Sequence, residues 1–198
     1  MLTADPREDP GAPPGAYLAA VRLLEAWPAP DPAQDALRRD YLALLGQRPD
    51  ALTRTCRPAH LTASALVLDR EARHVLLVHH ARIRRWVQAG GHIEATDPDL
   101  ARAARREAVE ETGIGGLALD PAPVMLSRHA APCGAQWHLD VQFGALADRA
   151  AVPVVSDESL DVAWFPVDAL PLGCAPGVEE LVAAAVARLG DAPGLSAD

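Results

Sequence analysis

The amino-acid sequence predicts an α+β fold in which a mixed β-sheet lies between helices, with a helical extension at the N-terminus. Strand-like segments occur on both sides of one central polar helix, and an Ala-rich amphipathic helix follows the last of them. Two helical segments, separated by a Pro-rich break, precede the first strand. Strands on either side of a central helix, closed by a further helix, are typical of an α+β sandwich.

The composition predicts a globular protein of the cytoplasm. The 198 residues suit one domain with an extension, and 49% hydrophobic residues are enough for a core. The net charge of −9 argues against a nucleic-acid-binding surface, because such surfaces neutralise phosphates with basic residues. No apolar run approaches the roughly 20 residues of a membrane span, and no signal-peptide pattern occurs. We therefore expect neither a nucleic-acid nor a membrane partner.

The three cysteines, Cys56, Cys133 and Cys174, are predicted to be reduced thiols. They are odd in number, widely spaced and lack a Cys-x-x-Cys pair, which is typical of a cytoplasmic protein. A zinc site at Cys56 and His60 is disfavoured because no second pair of ligands follows at a suitable spacing.

Four regions are predicted along the chain. Residues 1–14 are polar and Pro-rich and form a disordered N-terminus. Residues 15–55 form the helical extension, residues 56–190 form the main domain, and residues 191–198 form a flexible tail.

The extension is predicted to contain two helices. The first spans residues 17–27 and stops at the Pro-rich break. The second begins at Asp31 or Asp35, either of which can act as an N-cap, and ends at Gly46 and Pro49. Simple packing on the domain is favoured over a substrate-covering lid or a dimer surface.

The main domain is predicted to contain several strands and a closing helix. Strands 61–68 and 74–80 form a hairpin, and polar and apolar residues alternate through 138–143 as in a half-buried strand. The remaining predicted elements are strands at 123–129, 136–146 and 162–165, one turn of helix at 166–170, and a helix at 178–189.

A basic loop after the hairpin is a candidate for substrate binding. It carries Arg82, Arg84 and Arg85 and leads directly into a Gly-Gly loop. Guanidinium groups match the geometry of phosphate oxygens, so these side chains could bind substrate phosphates. A solvated basic turn explains the same residues equally well.

The Gly-Gly loop leads into the central helix. Asp97 is predicted to be its N-cap, with Pro98 at the first helical position. Gly113 suits the left-handed conformation after the last turn, and Ile114 can fold back onto the helix.

An acidic stripe is predicted along this helix. Glu107, Glu110 and Glu111 occupy positions i, i+3 and i+4, so their carboxylates share one face. Like charges at this spacing destabilise a helix by roughly 0.2–0.5 kcal/mol per pair. Arg106 can pair with Glu110, and a divalent cation such as Mg²⁺ would offset the repulsion more strongly, because it selects carboxylate oxygens.

The stretch from Gly91 to Ile114 resembles the Nudix box, whose pattern is Gly, five residues, Glu, seven residues, Arg-Glu-apolar-x-Glu-Glu-x-Gly-apolar. The match is complete from Arg106 onward, with Ala108 at the first apolar position. The start departs twice, because Asp97 replaces the first Glu and eight residues separate it from Arg106. We expect the turn before the helix to absorb the extra residue. The lengthened box is similar to that of a group of uncharacterised bacterial Nudix proteins.

The resemblance implies the same fold and an enzyme that hydrolyses a diphosphate linkage, usually in a nucleoside diphosphate derivative. It implies Mg²⁺ or Mn²⁺ as cofactor, which would neutralise phosphate charge and lower the pKa of bound water. Glu110 and Glu111 are implied as metal ligands, and Glu107 as a ligand or a partner that activates water. The carbonyl of Gly91, or of the glycine before it, is a further candidate ligand. Arg106 is implied to orient the carboxylates.

The general base is expected outside the box. Glu158 is the first candidate, because it lies in a late loop ahead of a strand where the family can contribute such a residue. His138 and Asp140 are the alternatives, since they share one face of a predicted strand. His92 follows the Gly-Gly loop and could contact phosphate. For each of these residues a purely structural role is equally compatible with the sequence.

Three functions are compared. The leading hypothesis is a Mg²⁺-dependent pyrophosphohydrolase with a small nucleotide or other diphosphate as its substrate. The second is a nucleotide-binding regulatory module without turnover, and the third is an interaction protein whose acidic helix face is only solvated. The complete set of box carboxylates favours the enzyme. A homodimer is left open, and the sequence does not identify the substrate.

Overall fold

The structure, a computed structural model, describes residues 14–131 and 133–190. The predicted disordered segment 1–14, apart from Pro14, and the predicted tail 191–198 lie outside this part of the chain. The elements are α1 (Pro14–Ala26), α2 (Pro32–Gln47), β1 (Ala59–Asp69), β2 (His74–His80), β3 (Arg85–Val87), β4 (Ala89–His92), α3 (Leu100–Thr112), β5 (Ala118–Leu119), β6 (Met125–Ala130), β7 (Trp137–Ala147), β8 (Ser159–Pro166) and α4 (Val178–Leu189).

The strands form one mixed sheet with the order β3-β2-β1-β7-β5. The long central strands β1 and β7 run parallel, from Ala59 opposite Trp137 to Asp69 opposite Ala147. The other pairs are antiparallel, with β4 beside the first half of β1, β2 beside its second half, β8 beside β2, and β6 beside β7. The predicted hairpin and the predicted mixed sheet between helices are thereby confirmed.

Both faces of the central strands are covered. Leu139, Val141 and Phe143 pack with residues of α1, α2 and α3, and Leu146 packs with residues of α4. The prediction of a half-buried strand is therefore wrong for β7, which is buried from His138 to Ala147. The alternation is real, but its polar positions are buried as well, because they lie beside polar residues of β1 at matching register.

The two N-terminal helices pack on the sheet and share its core. Asp31 is the N-cap of α2, and its carboxylate accepts hydrogen bonds from the backbone N–H groups of Ala33 and Gln34. The side chain of Gln34 bonds both the N–H and the carbonyl of Leu126, at 2.7 and 3.1 Å. The hydroxyl of Tyr41, which is fully buried, donates to backbone carbonyls of both β6 and β7. The helices are therefore held by buried polar contacts as well as apolar packing.

Two further local predictions are wrong. The N-cap of α3 is Asp99, whose carboxylate accepts from the N–H of Arg102 at 2.8 Å, and not Asp97. Residues 94–99 form the connection that precedes the helix. Within it, the carboxylate of Asp97 does not cap the helix but accepts a hydrogen bond from the guanidinium of Arg106. No turn of helix forms at residues 166–170, because Pro166 ends β8 in register with β2 and residues 167–169 form a non-helical turn. Within the described residues, no helix is long and apolar enough to cross a membrane.

Candidate active site

Helix α3 places its small residues against the sheet and its acidic residues at the opposite side. The buried positions are Leu100, Ala103, Ala104, Ala108 and Thr112. The small alanine side chains let the helix approach β1 closely. This close packing fixes the distance between the acidic stripe and the sheet. Gly113 ends the helix in the left-handed conformation, with φ of 68°, as predicted.

The two glycines of the predicted Gly-Gly loop contact the carboxylates directly, but they lie in strand β4 and not in a loop, because both pair with β1. The N–H of Gly90 donates to Oε2 of Glu111 at 3.3 Å. A Cβ atom added at Gly91 would lie 2.7 Å from Oε1 of Glu107, so any side chain there would displace that carboxylate. A Cβ atom at Gly90 would lie 2.7 Å from Cα of Ser64 and even closer to its Cβ. The two glycines are needed for close approach, since β4 is wedged between β1 and the acidic stripe.

Arg106 is the hub of the carboxylate network. Its Nε and Nη2 atoms donate to the two oxygens of Asp97, at 3.1 and 2.8 Å. Its Nη1 atom donates to Glu107 and Glu110, each at 3.0 Å. Burial opposes the charge of Arg106, but its hydrogen bonds with Asp97 and the negative charge of Glu107 raise its pKa. Asp97, buried and paired in this way, holds the guanidinium in place between the carboxylates.

Two carboxyl groups of the stripe resist ionisation. Burial raises the pKa of Glu107 to about 7, against the lowering effect of Arg106. Burial, followed by the charge of Glu107, raises the pKa of Glu111 to about 8. The charges of Glu110 and Glu158 raise both pKa values further. Clustered carboxylates that repel one another fit a divalent cation, whose charge would stabilise the ionised forms.

Glu158 lies close enough to act on this cluster. It is exposed in the turn before β8, and its charge contributes to the raised pKa values of both Glu107 and Glu111. The carbonyl of Glu158 accepts a hydrogen bond from the N–H of Ala81 at 3.1 Å. This bond brings the start of the basic loop beside the turn that carries Glu158.

The three arginines of the basic loop are exposed, as a phosphate-binding loop requires. Arg84 adopts a positive φ of 55° between the ends of β2 and β3, and Arg85 has its Nη1 atom 3.5 Å from the carbonyl of Cys174. The N–H of Arg82 donates to the ring of His80. Phosphate binding by Arg82, Arg84 and Arg85 stays a prediction.

Asp140 belongs to a polar strip on β1 and β7 that is separate from the acidic stripe. Its carboxylate accepts hydrogen bonds from the hydroxyls of Thr62 and Ser64, at 2.9 and 2.6 Å. The amide of Gln88 lies 3.5 Å from the same carboxylate. Asp140 is therefore a buried carboxylate with several partners inside the sheet, and this supports the structural role left open above.

His92 and His138 also meet partners outside the acidic stripe. The carbonyl of His92 accepts from Arg106 at 2.9 Å, whereas its ring lies 5.2 Å, centre to centre, from that of His138. Both rings join His60 and Cys133 in one cluster. Burial and the neighbouring histidines lower the pKa of His138 to about 3. The sequence alone does not reveal this cluster, because its members come from four separate segments.

Comparison with known proteins places the chain in context. The NUDIX domain model matches residues 58–185. No curated protein matches the chain in sequence.

Solved structures with a similar fold include a NUDIX-family hydrolase from Clostridium perfringens, with 21% identity, a TM-score of 0.53 and coverage of 66% of this chain and 95% of that one. The NUDIX domain of NrtR from Shewanella oneidensis, solved with ADP ribose, has 23% identity, a TM-score of 0.55 and coverage of 65% and 87%. An Ap4A hydrolase from C. elegans has 19% identity, a TM-score of 0.54 and coverage of 65% and 96%. At these identities the likeness concerns the fold.

Proposed function

Because the chain belongs to the Nudix family of pyrophosphohydrolases, we propose that it cleaves a diphosphate linkage in a nucleoside diphosphate derivative with the help of Mg²⁺ or Mn²⁺. One observation carries this proposal. Three glutamates of α3, the two glycines of β4 and the fork of Arg106 converge at one place, and two of the glutamates have raised pKa values that a cation would lower again. The carboxylates therefore fit the hard divalent ion that the family implies.

The proposed division of roles follows from the contacts. Glu110 and Glu111, with Glu107, would hold the ion, and the carbonyl of Gly91 would add a ligand. When bound, the ion would neutralise phosphate charge and lower the pKa of a water molecule. Arg106 keeps the carboxylates in one arrangement, since it bonds Glu107 and Glu110 while Asp97 anchors it from behind.

Glu158 is the proposed general base. It is exposed on the turn before β8, where a water molecule and a phosphate can reach it, and its charge acts on Glu107 and Glu111. It would accept the proton of the water that attacks phosphorus, and the leaving phosphate would depart with the P–O electron pair. Asp140 is less suitable, because the hydroxyls of Thr62 and Ser64 already bond its carboxylate. His138 is less suitable because its ring is buried in the histidine cluster.

The substrate classes to test first follow from the similar structures. One of these was solved with ADP ribose and another is an Ap4A hydrolase. Purified protein would be incubated with Mg²⁺ or Mn²⁺ and ADP-ribose, dinucleoside polyphosphates, nucleotide sugars, nucleoside triphosphates and coenzyme diphosphates. Products would be separated by chromatography, and ADP-ribose cleaved at its diphosphate would yield AMP and ribose 5-phosphate.

Two variants make this screen decisive. Glu111→Gln removes a proposed ligand with little change in shape, and Glu180→Gln removes an exposed glutamate in the first turn of α4. We expect one compound class to be hydrolysed by the wild type and by Glu180→Gln, with turnover lost in Glu111→Gln and in the presence of a chelator. Equal turnover in Glu111→Gln would contradict the proposed site.

The alternative is a nucleotide-binding module that does not turn its ligand over. It predicts saturable binding of one nucleotide, for example by calorimetry, with no product across the whole panel. The intact set of carboxylates favours the enzyme, because a module without turnover has no need of them. A homodimer and a cytoplasmic location stay predictions, and sedimentation would test the first.

A further inference from the structure

We propose that His60, His92, Cys133 and His138 form a second metal site, for a transition-metal ion of the zinc class, separate from the acidic stripe. One ligand atom from each residue can be chosen so that all four lie within 4.8 Å of one another. The members are two buried and two half-buried side chains at one end of the central strands. This site uses none of the glutamates of the proposed hydrolase.

The spacing of the donor atoms suits a tetrahedral ion. The Sγ atom of Cys133 lies 3.2 Å from Nε2 of His138 and 3.7 Å from Nε2 of His60. A tetrahedral Zn²⁺ with bonds of about 2.0–2.3 Å holds its ligand atoms about 3.3–3.6 Å apart. The ring centres of His60, His92 and His138 lie 4.9–5.2 Å from one another. The two sulfur–nitrogen distances already match such a site, and rotation of the imidazole rings would bring together the remaining donor atoms, which lie within 4.8 Å of one another.

The sheet positions three of the four ligands before any ion binds. His60 on β1 is directly opposite His138 on β7 in the parallel ladder. His92, the last residue of β4, is opposite Thr62 on the other side of β1. Three adjacent strands thus present imidazoles at the same end, and the loop between β6 and β7 adds Cys133. Ligands fixed by strand pairing lose little conformational entropy on binding.

A second contact orients His60 for metal binding. Its Nδ1–H donates to the carbonyl of Cys56 at 3.2 Å, and this leaves Nε2, on the side of Cys133, as the atom with a lone pair. Metal-binding histidines commonly use the other ring nitrogen in this way, because the bond fixes both tautomer and ring orientation. Cys56 thus takes part through its carbonyl, whereas Cys133 supplies the thiolate.

The donor set decides which ion is expected. Imidazole nitrogen and thiolate sulfur select Zn²⁺ and its neighbours, whereas Mg²⁺ requires oxygen ligands. Four protein ligands fill a tetrahedral site and leave no position for substrate. We therefore assign the ion a structural role.

The position of His92 indicates what this ion would stabilise. His92 follows the two glycines that touch the box glutamates, and its carbonyl accepts from Arg106. An ion bound to the ring of His92 would tie β4 to β1 and β7. It would thereby keep the two glycines of β4 in contact with the glutamates of the acidic stripe, without contacting the substrate.

The test begins with untagged wild-type protein, produced in zinc-supplemented medium and purified without chelators. We expect elemental analysis to find about one zinc ion per chain. After removal of the zinc, Co²⁺ should produce the visible bands of a tetrahedral ion and the near-ultraviolet charge-transfer band of a cobalt–thiolate bond. Protein without zinc that also fails to develop these bands would overturn the proposal.

Matched variants identify the ligands. Cys133→Ser should lose the thiolate band and the zinc, whereas Cys174→Ser, which changes a half-buried thiol in the turn before α4, should keep both. Glu111→Gln should keep its zinc as well, and zinc lost in that variant would place the ion at the box and overturn the proposal. If Cys133→Ser does not fold, the cobalt spectra of the wild type and of Cys174→Ser decide. The thiolate band requires a cysteine ligand, so we expect it in both proteins. Loss of the band in Cys174→Ser would contradict the assignment.

Discussion

The acidic stripe of α3 and the histidine–cysteine cluster at the ends of β1, β4 and β7 are neighbours with opposite construction. The stripe takes its ligand candidates from two turns of one helix, and the cluster takes its own from three strands and a loop. The stripe offers hard oxygen donors, and the cluster offers the softer imidazole and thiol donors. Arg106 and His92 join them, since the guanidinium bonds box carboxylates and the carbonyl of His92 at once.

If both proposed sites bind metal, this difference in donor atoms would keep them from competing for the same ion. A helix holds carboxylates at a spacing in which they repel one another, and a divalent ion can bind and still leave positions for substrate. A set of paired strands can present imidazoles that fill the coordination of a softer ion. We infer that the acidic stripe carries out hydrolysis and that the histidine–cysteine cluster holds the stripe and the neighbouring glycines in position.

The largest expected effect is on turnover, and it tests whether the acidic stripe and the histidine–cysteine cluster are separate sites. Glu111→Gln should lower kcat/KM for the substrate found in the screen by on the order of 100-fold or more, because even groups behind metal ligands are worth about 10–100-fold. The same variant should keep its zinc and melt no lower than the wild type, since it removes a buried carboxyl with a raised pKa. Parallel loss of zinc and activity would mean that the two sites are one.

The next effect concerns the residue that joins the two clusters. Arg106→Ala leaves the buried carboxylate of Asp97 without its ion-pair partner and with only the N–H of Glu94, which should cost roughly 3–5 kcal/mol of unfolding free energy. Arg102→Ala, at an exposed position one turn earlier, should cost less than about 0.5 kcal/mol. Urea unfolding at neutral pH measures both. Equal effects of the two variants would show that Arg106 is not the hub of the site.

The acidic stripe and the histidine–cysteine cluster also differ in how much of each could be predicted from the sequence. The acidic stripe and the C-terminal glycine of α3 were predicted, because helical periodicity and a local motif fix them within a single stretch. The two glycines were predicted as a loop but lie in β4, since their pairing with β1 is not visible in the local sequence. The role of Asp97 was not predicted, since its pairing with Arg106 depends on where α3 begins. His60 and Cys133 were missed as members of one cluster, because only the register of β1 against β7 brings them to His138.

A moderate effect concerns removal of the softer ion. Chelation of zinc should lower the melting midpoint by about 5–10 °C, because an ion present at 100 times its dissociation constant contributes about 2.7 kcal/mol and 1 kcal/mol corresponds to about 2–4 °C at this size. With Mg²⁺ kept saturating throughout, so that the acidic stripe contributes equally to every sample, Zn²⁺ should restore the midpoint. Calorimetry before and after zinc removal measures this, and an unchanged midpoint in zinc-free protein would contradict a structural ion.

The smallest expected effect is a change of the melting midpoint with pH, measured on the protein with zinc bound but without Mg²⁺. The pKa values of Glu107 and Glu111 are raised to about 7 and about 8 from 4.5, so the folded state holds protons that the unfolded state lacks. Their contribution to stability is complete below pH 4.5 and is lost as the pH rises through 7 and 8. The melting midpoint should therefore fall by a few degrees between about pH 6.5 and 8.5.

Two comparisons isolate that effect. Saturating Mg²⁺ should remove the fall, because the ion favours the ionised carboxylates. Glu111→Gln should flatten the profile, and Glu180→Gln should not. A midpoint that stays flat over this pH range in the wild type without Mg²⁺ would mean that both carboxyl groups are already ionised in the folded state, and it would contradict the raised pKa values.

Element-specific diffraction tests the division between the two sites most directly. Crystals of the zinc-containing protein would be soaked in Mn²⁺, and anomalous difference maps would be recorded on both sides of the zinc edge and the manganese edge. The account predicts manganese at Glu107, Glu110 and Glu111 and zinc among His60, His92, Cys133 and His138. Zinc at the glutamates with no anomalous peak among the histidines, or manganese at Cys133, would contradict it.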